Sequence, residues 1–229
     1  MQHIPILFEN DDCIVFNKPA GLSVQGGSQV GISLDTILAA RWSPRPLLVH
    51  RLDKDTSGLI LVAKHREAAA RCATLFSGRH LTKRYLAICA RRPPAEAGCI
   101  RLNLAIRGVE KHAETQYTRV SGTSDFSCLA LELGTGRMHQ IRRHLAQTGN
   151  PILGDDKYGD FALNKELRKT RGLRRLLLHA SRLVINEPAL GLVLDITAPL
   201  PEYFHPWIVD SSNAQLNQLT QTPALPALL

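Results

Sequence analysis

The sequence predicts an α+β fold: a mixed, mostly antiparallel sheet with flanking helices. Three observations predict it. Apolar runs of strand length follow one another from Arg84 to Leu133 with only turns between them. Helical periodicity is confined to a few short segments. The chain lacks the regular alternation of strand and helix that builds a parallel, doubly wound sheet.

The elements can be justified in order. ILFENDDCIVF places two apolar runs around Asn10-Asp11-Asp12, the pattern of a hairpin. Asn17-Lys18-Pro19-Ala20-Gly21 breaks the second strand, and Gly26-Gly27 keeps the next stretch irregular. Ser33 is an N-cap residue for a helix that carries Leu34, Ile37 and Leu38 on one face. A short strand is expected over Leu47 to Val49 and a buried one over Gly58 to Ala63. Between Arg66 and Ser77, Ala69, Cys72, Leu75 and Phe76 recur at helical spacing, and Gly78 is a stop.

Strands are then expected at Tyr85 to Cys89, Ile100 to Ile106, Glu114 to Val120 and Ser127 to Leu133. Met138 to Gln147 predicts a helix that ends at Gly149-Asn150-Pro151, and a second short helix is expected over Asn164 to Arg171. Leu176 to Ile185 and Leu192 to Thr197 supply the last strands. The organisation expected is one domain over residues 1–210. Residues 211–229, polar and then proline-punctuated, are expected to form a flexible tail.

Composition narrows the function classes. The 229 residues carry 28 Lys and Arg against 20 Asp and Glu, a net charge of +8. That excess favours a polyanionic partner such as nucleic acid. The five cysteines (Cys13, Cys72, Cys89, Cys99, Cys128) are scattered and include no C-x-x-C pair, which argues against a zinc site or a disulfide framework. No signal-peptide pattern opens the chain, and no apolar run reaches the ~20 residues of a membrane span. A cytoplasmic protein with no membrane association is expected.

Three stretches wedge polar residues between apolar ones: His50-Arg51-Leu52-Asp53-Lys54-Asp55-Thr56-Ser57-Gly58, Thr82-Lys83-Arg84-Tyr85, and Gly134 to His144. His50 and Asp53 are three apart and His139 and His144 five apart, so neither pair has the spacing of helical metal ligands, and no metal is expected. The phosphate-binding Gly-x-x-x-x-Gly-Lys-Ser/Thr loop is absent, and Ser57 lacks a nucleophile elbow. Asp53 reads equally as a salt-bridge partner or as a reagent. Arg142 lies beside Met138, Ile141 and Leu145 at helical spacing, so partial burial and a carboxylate partner are expected for it. Tyr85 fits a core strand residue as well as a stacking surface.

At these residues a family comes into view. HRLDKDTSG resembles the H-R-L-D-x-x-T-S-G signature of the RluA-type pseudouridine synthases. Asn17 to Gly21 is similar to the family's N-K-P-x-G loop, Lys83-Arg84-Tyr85 to its K-x-Y, and Gly136 to Arg142 to its G-R-x-H-Q-I/L-R. Pro151-Ile152-Leu153-Gly154-Asp155 and Leu177-Leu178-His179-Ala180 match later segments. The order is the family's, from about residue 5 to about residue 205. Met138 stands where Ser or Thr is common and Asn150 where His is frequent; these departures bear on substrate choice.

The resemblance implies an isomerase. Such enzymes cleave the bond from ribose to N1 of a uracil, turn the base and rejoin it through C5. Carried over by position, Asp53 is the catalytic aspartate, Tyr85 the ring stacked on the target base, Arg142 the partner of the aspartate, and Arg51 an arginine that helps displace the target nucleotide. Whether Asp53 acts as nucleophile or base stays open. An isomerisation requires no cofactor. A uridine inside an RNA helix must be flipped out at a cost of a few kcal/mol, part of which a stacked tyrosine returns. The match begins almost at Met1, so no N-terminal S4-type domain is expected. The expected partner is a tRNA or rRNA stem-loop, and the expected state is a monomer. Two alternatives stand beside this one: an RNA-binding module of the same fold without catalysis, and a nucleoside-bond hydrolase.

Overall fold

The computed structural model describes residues 4–27, 31–77, 81–188 and 191–208. The chain forms two compact units. The first comprises Met1–Lys83 and Ala180–Pro199, the second Arg84–His179 and Leu200–Leu229. The tail expected over residues 211–229 lies outside the described residues. No helix among the described residues is long and apolar enough to cross a membrane.

The first unit opens with a hairpin of β1 (Ile6–Glu9) and β2 (Cys13–Lys18). Asn10 closes its turn: the side-chain oxygen accepts from the N–H groups of Asp12 and Cys13. α1 (Leu34–Arg41) starts at the expected Ser33, through a capping box in which Ser33 Oγ accepts from Thr36 N–H and Thr36 Oγ1 from Ser33 N–H. β3 (Leu47–Leu48) and β4 (Ser57–Ala63) follow, then α2 (Arg66–Ser77). The returning strands are β11 (Leu178–Glu187), which belongs to this unit from Ala180 onward, and β12 (Leu192–Thr197).

The strand order here is β1-β2-β4-β11, with β12 beside β11 and β3 beside β4. Every residue of β4 is buried, which explains its continuous apolar sequence rather than an alternating one. Cys13, Leu59, Leu61, Cys72, Leu75 and Ile185 form the core of this unit.

The second unit contains β5 (Leu81–Ala90) from Arg84 onward, then β6 (Ala97–Arg101), β7 (Leu104–Ile106), β8 (Val109–Lys111), β9 (Glu114–Gly122) and β10 (Phe126–Leu133). The sheet order is β5-β10-β9-β6, antiparallel at each pairing whose register is given. β7 and β8 make a separate hairpin. The expected strand over Ile100 to Ile106 is therefore two strands interrupted at Leu102-Asn103. α3 (Gln140–Gln147) and α4 (Phe161–Thr170) complete the unit, with a 3-10 helix at Glu202–Trp207. α3 begins two residues later than its hydrophobic pattern suggests, because His139 adopts the left-handed backbone region and cannot continue a helix. α4 begins earlier than expected, since Asp160 caps it by accepting from Leu163 N–H.

Candidate active site

The HRLDKDTSG stretch leads directly into β4. Leu52, Thr56 and Ser57 are buried, and between them the chain turns so that Thr56 N–H donates to the Asp53 carbonyl at 3.2 Å. Asp53 itself is half-buried and Arg51 exposed.

The N-K-P-A-G loop explains what holds that turn. Lys18 is the last residue of β2 and is fully buried, an unusual place for a lysine. Its Nζ donates to three carbonyls: Pro19 at 3.0 Å, Leu22 at 2.9 Å and Lys54 at 3.0 Å. Gly21 N–H donates to the same Lys54 carbonyl at 2.9 Å. The residue next to Asp53 is thus gripped by two donors from one loop. Burial pushes the Lys18 amine down to about 7, against the pull of Asp55 and Asp53.

The flanks are equally constrained. His50 Nε2 accepts from Leu61 N–H at 2.9 Å, and its ring stacks on Phe76 at 4.6 Å. Burial, with the nearby Lys83 charge, pushes the imidazole down to about 3, so it is a neutral acceptor. Lys83 Nζ sits 5.1 Å from the Phe76 centroid. Gly58 has φ +106°, and a Cβ there would stand 2.2 Å from the Ala180 carbonyl oxygen. Only glycine fits so close to β11.

The second unit carries Tyr85 and Arg142. Tyr85 is buried on β5, opposite Leu131 of β10. Arg142 is 5% exposed, as its helical neighbours Ile141 and Leu145 lead one to expect. Met138, expected on the same face, lies before the helix and is exposed. Arg142 has a carboxylate partner in Asp155, and Asp156 Oδ1 lies 3.4 Å from its Nη2. Arg142 Nε donates to Asp155 Oδ2 and Nη2 to Oδ1, both at 2.8 Å. Oδ1 also accepts from the N–H groups of Lys157 and Tyr158 at 2.9 Å. Burial pushes the Asp155 carboxyl up, but the Arg142 fork and these two N–H groups outweigh it and leave it below its usual range.

α3 is seated by a buried polar chain. Gln140 Nε2 donates to the Glu114 carbonyl at 2.7 Å and to Thr115 Oγ1 at 3.0 Å. His144 Nδ1 lies 3.0 Å from Thr115 Oγ1 and Nε2 lies 3.2 Å from the Leu102 carbonyl. The network is satisfied if Nε2–H donates to Leu102 and the Thr115 hydroxyl donates to Nδ1. Burial lowers the His144 imidazole, consistent with that neutral ring. Gln140 and His144 of the G-R-x-H-Q-I-R-x-H run are therefore helix anchors.

Sequence reading assigned no role to Lys18, Asp155, Thr115 or His144. A lysine ending an otherwise buried strand is a signal for Lys18. Asp155 lies within a recognisable motif, but its pairing with Arg142 joins residues 13 apart across a turn that no periodicity describes.

Comparisons with known proteins place the chain in a family. A family model described as RNA pseudouridylate synthase matches residues 12–147. The chain belongs to that family. Among its relatives, the ribosomal large subunit pseudouridine synthase C of Rickettsia prowazekii is 35% identical over 214 residues, covering 87% of this chain and 69% of the relative. The ribosomal large subunit pseudouridine synthase D of Haemophilus ducreyi is 34% identical over 226 residues, covering 89% of this chain and 70% of the relative. The solved structure of human RNA Pseudouridylate Synthase Domain Containing 4 superposes with a TM-score of 0.76 at 27% identity, covering 94% of this chain and 92% of that one. The protein is an RNA pseudouridine synthase of the RluA type, an isomerase acting on RNA. The α+β class with a mostly antiparallel sheet holds for the synthase as for its structural neighbours.

Proposed function

We propose that this synthase isomerises uridines in ribosomal RNA of the large subunit, with Asp53 as the reacting carboxylate. The observation that carries the aspartate assignment is the grip on its loop: Lys18 and Gly21 both donate to the carbonyl of the adjacent Lys54. Reacting groups require such preorganisation, since a misplacement of about 1 Å costs ~100-fold in rate. The choice of ribosomal RNA over tRNA is supported by the names of the relatives, which are ribosomal large subunit synthases.

In this reading a uridine leaves its stack, its face is taken by Tyr85, and Arg51 on the exposed part of the loop occupies the position vacated in the RNA. Arg142 is the cation that the family pattern assigns to the charged form of the aspartate. The N1–C1′ bond breaks, the C5–C1′ bond forms, and the C5 proton is lost as N1 gains one. The product is an isomer, and the balance involves no oxidant or group donor.

The substrate assignment is tested with two transcripts labelled with tritium at uridine C5, one a large-subunit rRNA fragment and one a tRNA pool. Tritium release from the rRNA fragment alone is expected. Release from tRNA alone would move the substrate to tRNA.

A further inference from the structure

The turn entering α3 contains a backbone anomaly with a neighbour outside the helix. His139 adopts φ +53°, ψ 27°, and its side chain makes no capping bond to the helix. A non-glycine residue in that region costs of order 1 kcal/mol or more and persists where neighbours over-determine it. One such neighbour is Tyr158. His139 Nδ1 lies 3.0 Å from the Tyr158 hydroxyl, and the rings meet edge to face at 5.6 Å and 71°.

Tyr158 in turn touches Arg142 in two ways. Its ring lies 5.3 Å from the guanidinium carbon, and its backbone N–H donates to the same Asp155 oxygen that accepts from Arg142 Nη2. Asp155 fixes the plane of the guanidinium through its two-point fork. The guanidinium carbon lies over the Tyr158 ring at cation–π distance. Lys157 Nζ also approaches the ring, at 5.5 Å. Neither His139 nor Tyr158 is buried, so neither fills the core.

We propose that Tyr158, oriented by His139, is a positioning residue that holds the Arg142 guanidinium in its working orientation. The inference rests on the reading that Arg142 serves the isomerisation. It assigns a purpose to the left-handed backbone of His139, which turns that ring away from the helix and onto the tyrosine.

The test is single-turnover pseudouridine formation at saturating RNA, with RNA affinity and thermal stability measured on the same samples. Tyr158→Ala is expected to lower the rate constant by ~10-fold, the scale of a lost cation–π contact at a partly desolvated site, with RNA affinity within about twofold. Tyr158→Phe, which keeps the ring, should recover most of that loss. His139→Ala should lower the rate less than Tyr158→Ala and again spare affinity. A wild-type rate in Tyr158→Ala overturns the proposal, as does a Phe variant as slow as the Ala variant, or an affinity loss that matches the rate loss. Should Tyr158→Ala fail to fold, Tyr158→Leu takes its place with the same expectations. A wild-type protein that forms no pseudouridine would defeat the functional reading itself, a result distinct from any of these.

Discussion

The buried ammonium of Lys18 donates to the carbonyl of Lys54 at 3.0 Å, joining residues 36 apart in the chain. This contact ties the end of β2 to the loop that carries Asp53. It gives the N-K-P-A-G and HRLDKDTSG stretches a common purpose, since one supplies the donors and the other the acceptor.

Lys18 makes stability depend on pH in a defined window. Burial lowers the folded-state amine from the ordinary 10.5 to about 7. Between those values the unfolded chain binds a proton that the folded protein does not, so this residue's contribution to stability rises with pH from 7 toward 10. Below pH 7 both states are charged and the burial penalty is present in full. Relative to Lys18→Met, the wild type should therefore gain stability between pH 7 and pH 9.5, read by chemical denaturation at each pH. Parallel curves for the two proteins would refute the assignment.

Asp155 is the counter-charge of a buried arginine. Its side chain is 1% exposed and that of Arg142 6%. Removing one partner of a buried pair costs up to about 3–5 kcal/mol, of which Asp156 Oδ1, 3.4 Å from Arg142 Nη2, offsets part. Asp155→Ala should lose stability on that scale, measured by urea denaturation. A loss below about 1 kcal/mol would show that the fork does not hold in solution.

Gly58 is required by contact rather than chemistry. The positive φ and the 2.2 Å approach to the Ala180 carbonyl oxygen leave no room for a methyl group. Gly58→Ala should destabilise by at least ~2 kcal/mol, and Ser57→Ala at the neighbouring position by less. Equal melting temperatures for the Gly58 variant and the wild type would contradict this account.

Much of the fold is legible in local pattern. Ser33 predicts its own helix because capping is a local hydrogen bond. β4 is visible as an apolar run because every one of its residues is buried. The failures have physical causes as well. The start of α3 is misread because Met138 continues the hydrophobic period, while the backbone of His139 breaks the helix. β8 (Val109–Lys111) escapes notice because all three of its residues are exposed and carry no period-two pattern.

The candidate site divides along the same line. Asp53, Tyr85, Arg142 and Arg51 are recognisable because short motifs carry them. Lys18 and Asp155 require the fold: each acts on a residue that reaches it through tertiary contact, and sequence spacing holds no trace of that contact.

The role proposed for Asp53 is that of the reacting carboxylate. Its most direct measurement compares wild type and Asp53→Asn on uridine-labelled RNA, following tritium release from C5 together with RNA binding. The two side chains are nearly equal in size, and only the charge and its reactivity are lost. Release by the wild type is predicted, with none above background from Asp53→Asn and RNA affinity retained within a few-fold. Continued release by Asp53→Asn would contradict the account.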